Sequence, residues 1–364
     1  MSNFSKGSDG SAGKGSPDGP SSVSKRRSNS SGSLSQMMTS ADYYADSYSH
    51  FGIHEEMLKD EVRTKAYMQA IERNTHLFKD KLVLDVGCGT GILSMFCARA
   101  GAKMVYAIDM SNIAQQAKTI VEDNGLSDKI TVIQGKMEEI ELPVQYVDII
   151  ISEWMGYFLL YESMLDTVIY ARDKYLRPET GIIMPDQAKL FICAIEDEEY
   201  RKEKIDFWDN VYGFNMSTIK AMALTEPLVD IVDPKAIIST IEPILHLNIM
   251  TCKKEDLSFS QKFKLKFCRS DYCHALVSHF ECAFTLVHKP IVFSTSPLCQ
   301  YTHWKQVIYY LDEALTVCNG EELTSKIEVS PNDRNPRDLD INITFNFDGA
   351  HGKLVEKKKL YRLR

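Results

Sequence analysis

Leu82-Val83-Leu84-Asp85-Val86-Gly87-Cys88-Gly89-Thr90-Gly91 decides the fold of this 364-residue chain. A short apolar run that stops at glycines reads as a strand entering a tight turn. The glycines allow that turn and let a ligand approach the backbone closely. The pattern over 92–100 is helical and closes at Gly101, a C-terminal stop. Working outward, 104–108 is a second strand ending at Asp109, 113–123 a helix and 130–133 a third strand. Residues 147–151 form a fourth, apolar throughout and so expected to be buried on both faces. Strands alternating with helices imply a doubly wound parallel sheet.

The third glycine comes one residue too early for G-x-G-x-x-G. The pattern D-x-G-x-G-x-G instead resembles the nucleotide loop of class I, Rossmann-like methyltransferases, whose ligand is a sulfonium amino acid and needs no phosphate-binding lysine. Asp109, at the end of the second strand, is placed to accept both hydroxyls of a ribose. On its own the turn could also be a plain strand–helix junction.

A second stretch carries the acceptor chemistry: Ser152-Glu153-Trp154-Met155-Gly156-Tyr157-Phe158-Leu159-Leu160-Tyr161-Glu162-Ser163-Met164-Leu165. Glu153 follows the buried strand at the carboxyl edge, where open α/β sheets bind ligands. On a continuous helix Glu153 and Glu162 would point to opposite faces. Gly156 argues for a loop that folds back and lets the two acids converge. Paired carboxylates raise one another's pKa unless a cation lies between them. Guanidinium, planar and permanently charged, suits such a site because a carboxylate grips it with two parallel hydrogen bonds.

The remainder sets the organisation. Residues 1–38 are Ser/Gly/Pro/Lys-rich and too poor in apolar side chains to offset ordering entropy, so a disordered extension is expected. Within it Lys25-Arg26-Arg27 reads as a solvated charge run or a short nuclear-import signal. Residues 43–77 read as helical on apolar positions from Tyr44 through Tyr67. The methyltransferase domain is expected over 39–185. Over 186–364 an antiparallel barrel or sandwich is expected, from period-two alternation in 263–267, 280–287 and 341–347. Residues 197–223, with Trp208, Tyr212, Phe214 and Met216, read as a helical insertion.

Composition narrows the partners. Net charge is −8, with 42 Lys+Arg against 50 Asp+Glu. Such a surface disfavours direct nucleic-acid binding and can steer basic substrates inward. No run of about 18 apolar residues occurs, so a membrane span is not expected, and neither is a secretory leader. The nine cysteines contain no C-x-x-C pair, which supports neither a zinc site nor a redox pair. The expectation is a soluble intracellular chain with free thiols and no metal.

Three motifs, in this order, bring the chain to a family. Gly52-Ile53-His54-Glu55-Glu56-Met57-Leu58-Lys59-Asp60 with Arg63, the acid loop, and Thr302-His303-Trp304-Lys305-Gln306 resemble the protein arginine methyltransferases, most closely the predominant eukaryotic type I form. The resemblance runs from about residue 42 to the C-terminus. It implies S-adenosyl-L-methionine as cofactor, a β-barrel second domain and a helical dimerisation arm at 197–223 of a homodimer. It further implies that Glu153 and Glu162 hold the substrate guanidinium, with His303 and Asp60 as a candidate proton relay or a brace between domains. Cofactor contacts implied are Arg63, for the methionyl carboxylate, His54, Asp85, Gly87, Gly89, Asp109 and Glu138. Tyr48, Met57, Tyr157 and Met164 would line the substrate pocket.

Two departures stand out: Asp109 replaces the family's usual Glu, and Cys88 a small Ala or Ser. The expected products are mono- and asymmetric dimethylarginine in Arg-Gly-rich RNA-binding proteins and histone tails, in nucleus and cytoplasm. A methyltransferase for small molecules or nucleic acid would leave the paired acids and the Thr302-His303-Trp304 stretch unexplained. A scaffold that binds cofactor only to stay folded would be favoured by loss of Glu153, Glu162 or Arg63, all of which are present.

Overall fold

The computed structural model describes residues 48–364. The Ser/Gly-rich head, Lys25-Arg26-Arg27 and the start of the expected helical stretch at Tyr43 and Tyr44 lie outside the described residues.

Where the apolar pattern suggested one long helix, the chain forms α1 (Phe51–Lys59), α2 (Glu61–Glu72) and α3 (Thr75–Phe78). The break after α1 has a local cause. Asp60 is extended, with φ −68° and ψ 95°, and its carboxylate accepts the Arg63 N–H at 3.0 Å. That is an N-cap, which satisfies one of the orphan donors of a new helix and so starts α2 afresh.

The parallel sheet follows: β1 (Leu82–Val86), α4 (Ile92–Arg99), β2 (Met104–Asp109), α5 (Ile113–Asp123), β3 (Ile130–Gln134), β4 (Ile149–Ile151), α6 (Met164–Tyr175) and β5 (Ile182–Met184). Its order is β3-β2-β1-β4-β5, every neighbouring pair parallel. The expected fourth strand shortens at its start, Val147 making only an isolated bridge to Leu176. Chain order reverses between β1 and β4, so the glycine turn after β1 and the acid loop after β4 open side by side. This is the switch point at which doubly wound sheets bind ligands.

Beyond Pro185 the sheets are antiparallel. They are built from β6 (Gln187–Ile195), then, after helices α7 (Glu198–Lys204) and α8 (Ser217–Ala223), β7 (Leu228–Asp230), β8 (Glu242–Asn248), β9 (Phe259–Lys266), β10 (Asp271–Phe284), β11 (Ile291–Ser294), β12 (Gln306–Val317), β13 (Glu322–Pro331), β14 (Leu339–Asp348) and β15 (Lys353–Leu363). One sheet runs β7-β12-β10-β6-β8 with β11 on β10, the other β15-β14-β13-β9. Alternation is clean in the second, where Leu323, Ile327 and Val329 point inward with Ile341, Ile343 and Phe345 of β14. The two sheets meet where Tyr361 of β15 sets its ring edge-on to Tyr309 of β12 (5.2 Å) and donates its hydroxyl to the Tyr310 carbonyl at 2.8 Å. Each large apolar side chain buried this way stabilises by roughly 1.5–3 kcal/mol.

Trp304 ties this part to the acid loop. Its ring stacks on Phe293 (5.7 Å, 16°), and its Nε1–H donates to the Met155 carbonyl at 2.7 Å. Residues 197–223 are not continuously helical. Between α7 and α8 the chain makes a 3-10 turn over Asp206–Asp209, then doubles back through left-handed Tyr212 and Gly213, with φ 51° and 93°. Tyr212 is 97% and Phe214 69% exposed. Trp208 is half-buried and donates to the Lys204 carbonyl at 3.1 Å.

Candidate active site

The three glycines of the turn are left-handed, with φ 74° at Gly87, 52° at Gly89 and 84° at Gly91. A Cβ on Gly87 would come within 2.5 Å of Met164 Cε. Only glycine leaves the floor open there, because a side chain would meet both strain and a neighbour. Asp109 is fastened to the turn. Its Oδ2 accepts the Gly89 N–H at 2.9 Å, and its Oδ1 accepts the Ser111 N–H (2.8 Å) and hydroxyl (2.6 Å).

Above this floor opens a cleft of about 350 Å³, of the size that takes small ligands. His54 faces it from α1, its Nε2 2.8 Å from the Tyr48 carbonyl oxygen. Glu138 faces it from the other side, where its Oε1 accepts the Thr167 hydroxyl at 2.7 Å. Met57, Tyr157 and Met164 line the same cleft.

The acid loop forms one wall. It folds back at Gly156, whose N–H donates to the Leu159 carbonyl at 3.1 Å, while the Tyr161 N–H donates to the Tyr157 carbonyl at 3.1 Å. A Cβ on Gly156 would stand 2.1 Å from the Tyr161 carbonyl oxygen. Phe158, Leu159, Glu162 and Ser163 all have positive φ (54°, 66°, 75°, 57°). Each such non-glycine residue costs about 1–3 kcal/mol, which the surrounding packing must offset.

The fold-back brings Glu153 and Glu162 to the same cleft. Arg63 reaches Glu153 from α2. Its Nε–H and Nη2–H both donate to Oε2, at 3.0 and 2.9 Å, and both side chains are almost fully buried. Glu162 Oε2 accepts the Tyr48 hydroxyl at 2.9 Å. Burial pushes the Glu162 pKa up to about 7, with the Glu153 charge adding to it and the Tyr48 hydrogen bond and Arg337 charge opposing.

His303 and Trp304 close the end of the cleft, with ring centroids 4.0 Å apart. Asp60 lies behind them, buried, with Oδ2 2.8 Å from His303 Nδ1. It touches His303 and does not face the cleft.

One expected contact, Asp85, stands off the cleft surface. It is fully buried beneath the turn, its Oδ2 accepting the Ser94 hydroxyl at 2.6 Å. Burial lifts its pKa to about 7. Cys88 is a lining residue of the cleft but nearly buried, and burial pushes its thiol pKa well up, so the thiol stays protonated. Thr167, Ser163 and Arg337 were missed by sequence reasoning. The first two lie in quoted or helical stretches without a motif, and Arg337 sits in a polar turn that reaches the site only in the folded chain.

Comparison with known proteins agrees with this geometry. A family model described as "Methyltransferase domain" matches residues 83–179, and one described as "Arginine methyltransferase oligomerization subdomain" matches 186–350. Protein arginine N-methyltransferase 1 of Chlamydomonas reinhardtii is 61% identical over 326 residues, 90% of this chain and 94% of the relative. The Schizosaccharomyces pombe protein of the same name is 58% identical over 311 residues, 85% and 91% of the two chains. The chain belongs to the protein arginine N-methyltransferase family. Among solved structures, the Trypanosoma brucei PRMT1 enzyme–prozyme heterotetrameric complex with AdoHcy superposes with TM-score 0.85 at 49% identity, covering 88% of this chain and all of that one. Arabidopsis thaliana protein arginine methyltransferase 10, in an open conformation, gives 0.79 at 30% identity with the same coverage.

The family's cofactor is S-adenosyl-L-methionine, and the residues here fit it. The left-handed glycine turn leaves a cradle that a Cβ would fill, and Asp109 presents a carboxylate at the end of β2. The site is that of a type I protein arginine methyltransferase.

Proposed function

We propose that this enzyme converts arginine to monomethyl- and then asymmetric dimethylarginine in Arg-Gly-rich RNA-binding proteins and histone tails. The observation that carries the reading is the arrival of Glu153 and Glu162 in one cleft beside the glycine turn.

S-adenosyl-L-methionine, when bound, supplies a methyl made electrophilic by its sulfonium. The protein's own residues do the rest. Glu153 and Glu162 hold the acceptor guanidinium, draw its positive charge toward the nitrogens that do not react, and leave a lone pair on the third. Orientation and fixed electrostatics are then the main source of acceleration. Arg63 holds Glu153 by one oxygen and stands at the cofactor end, where a carboxylate of the ligand would pair with it. Once methylated the nitrogen is far more acidic, so a modest base suffices. His303, oriented by Asp60, receives that proton. His54, Gly87, Gly89, Asp109 and Glu138 hold the cofactor, and Tyr48, Met57, Tyr157 and Met164 leave room for a singly methylated side chain.

Mass spectrometry of an Arg-Gly-rich peptide incubated with enzyme and S-adenosyl-L-methionine tests the reading. Two methyls on one nitrogen support it. Methyls on two nitrogens of one arginine overturn the product, and no transfer despite cofactor binding overturns the acceptor.

The working state proposed is a homodimer through residues 197–223. Exposed Tyr212, Phe214, Ile219 and Met222 favour burial against a second copy. Light scattering checks this, and a monomer at micromolar concentration would sink it. Residence in nucleus and cytoplasm is proposed with these substrates, and imaging of the tagged chain tests it.

A further inference from the structure

Glu162 and Ser163 sit in the left-handed region although neither is glycine. Such backbone persists only where its neighbours over-determine it. The neighbours come from a distant turn, residues 332–338 between β13 and β14. The Glu162 N–H donates to the Arg337 carbonyl at 2.9 Å, and Arg337 Nη1–H donates to the Glu162 carbonyl at 2.6 Å. Beside this pair the Ser163 hydroxyl donates to the Pro336 carbonyl at 2.6 Å.

The turn is stiffened from within. The Asn332 side-chain oxygen accepts the N–H groups of Arg334 (2.9 Å) and Asn335 (3.2 Å), and its amide donates to Asp340 on β14. The Asn335 amide donates to the Asp338 carboxylate at 2.7 Å, and the Asn332 N–H to the Asp338 carbonyl at 2.9 Å. Arg337 is thus presented from a turn anchored in the four-stranded sheet, not from a loose loop.

We propose that Arg337 is a positioning residue for methyl transfer, which clasps both backbone polar groups of Glu162 and so fixes where that carboxylate stands in the acceptor pocket. The inference rests on Glu162 being an acceptor acid. Through it the antiparallel sheet, and not the parallel one alone, sets the geometry of the guanidinium clamp. Among the described residues, the groups facing Glu162 are Tyr48 from the segment before α1, Glu153 from the end of β4, Tyr157 and Tyr161 from the acid loop, and Arg337. Arg337 is the cation among these, so its loss changes the charge around the acid as well as its place.

Full-length Arg337→Ala, Arg337→Lys and Ser163→Ala are compared with wild type for melting temperature, cofactor affinity, kcat, peptide KM and the pH profile of kcat/KM. A displaced carboxylate predicts a loss of about 100-fold in kcat for Arg337→Ala. Cofactor affinity should hold, because the turn touches the acid loop and not the glycine turn. The acidic limb of kcat/KM should move to higher pH, because a positive charge facing a carboxylate favours its ionised form. Arg337→Lys should keep the limb but recover only part of kcat, because an ammonium lacks the planar fork. Ser163→Ala should lose less.

Arg337→Ala turning over within about threefold of wild type, with an unmoved acidic limb, overturns the proposal. If that variant does not fold, a wild-type rate in the Arg337→Lys/Ser163→Ala double variant overturns it equally. Failure of the wild type to methylate arginine peptides would instead strike the acceptor reading.

Discussion

His303 and Asp60 lie 243 positions apart in sequence, yet Nδ1 of one is 2.8 Å from Oδ2 of the other, and the His303 backbone N–H donates to that same oxygen at 2.9 Å. The second carboxylate oxygen caps α2 through the Arg63 N–H. One buried acid therefore registers the helix that delivers Arg63 against the segment that delivers His303.

Asp60→Asn should expose that double duty. An amide has one acceptor oxygen and cannot serve both the cap and His303. The expected cost is about 1–3 kcal/mol of stability, read as a lower melting temperature, with a fall in kcat. Burial opposes ionisation of Asp60, but the hydrogen bonds from His303 and from the backbone N–H groups of Arg63 and His303 outweigh it and hold its pKa below the ordinary 3.8. A depressed carboxyl stabilises the fold above its unfolded pKa, and that stabilisation is lost as pH falls through the folded one. Wild type should therefore lose stability below about pH 4 more steeply than the variant.

Glu162 gives the opposite sign. Its pKa rises from 4.5 to about 7 in the fold. The stabilisation from the protonated carboxyl is full below 4.5 and lost as pH climbs through about 7. Glu162→Gln, neutral at every pH, should abolish this decline, worth about 2–4 kcal/mol, in melts of the cofactor-free enzyme. In wild type, kcat/KM for peptide should rise through the same range as the acid ionises to receive a guanidinium.

Glu153→Gln removes one arm of the clamp and leaves Arg63 without its carboxylate. We expect about 10²–10³-fold lower kcat from the lost electrostatic hold, measured by methyl transfer to peptide. A variant as fast as wild type would falsify charge steering by the paired acids.

Gly156→Ala should collapse the acid loop, because its Cβ would sit on the Tyr161 carbonyl oxygen. Backbone cannot yield there as a side-chain tip could. A loss above about 3 kcal/mol is expected, or a folded protein that binds cofactor without transferring methyl. Calorimetry and a binding titration separate the two, and an active variant of normal stability contradicts the geometry.

The parallel sheet, its glycine turn and the fold-back at Gly156 were legible in the sequence because each depends on neighbours a few residues away. Periodicity over 82–86 or a glycine between two acids carries its own local meaning. The break at Asp60 was not legible, since the apolar pattern runs through it and only the cap bond shows where α2 restarts. Three-residue β5 is too short to show a period. The chain between α7 and α8 hides its turn, because Tyr212 takes a left-handed backbone that nothing in its type announces. Arg337 meets Glu162 175 positions away. Such pairs are settled by how the two antiparallel sheets seat against the cofactor domain, which no local pattern encodes.

The nearly buried thiol of Cys88 bears on inhibitor chemistry. An electrophile aimed at a cysteine beside the cofactor would meet a sulfur that is buried and protonated, while Cys268 and Cys299 stand exposed elsewhere. Covalent labelling should therefore mark those two surface thiols first. They offer places to hang a fluorophore on a working enzyme, and inactivation by a thiol reagent need not report on the cleft.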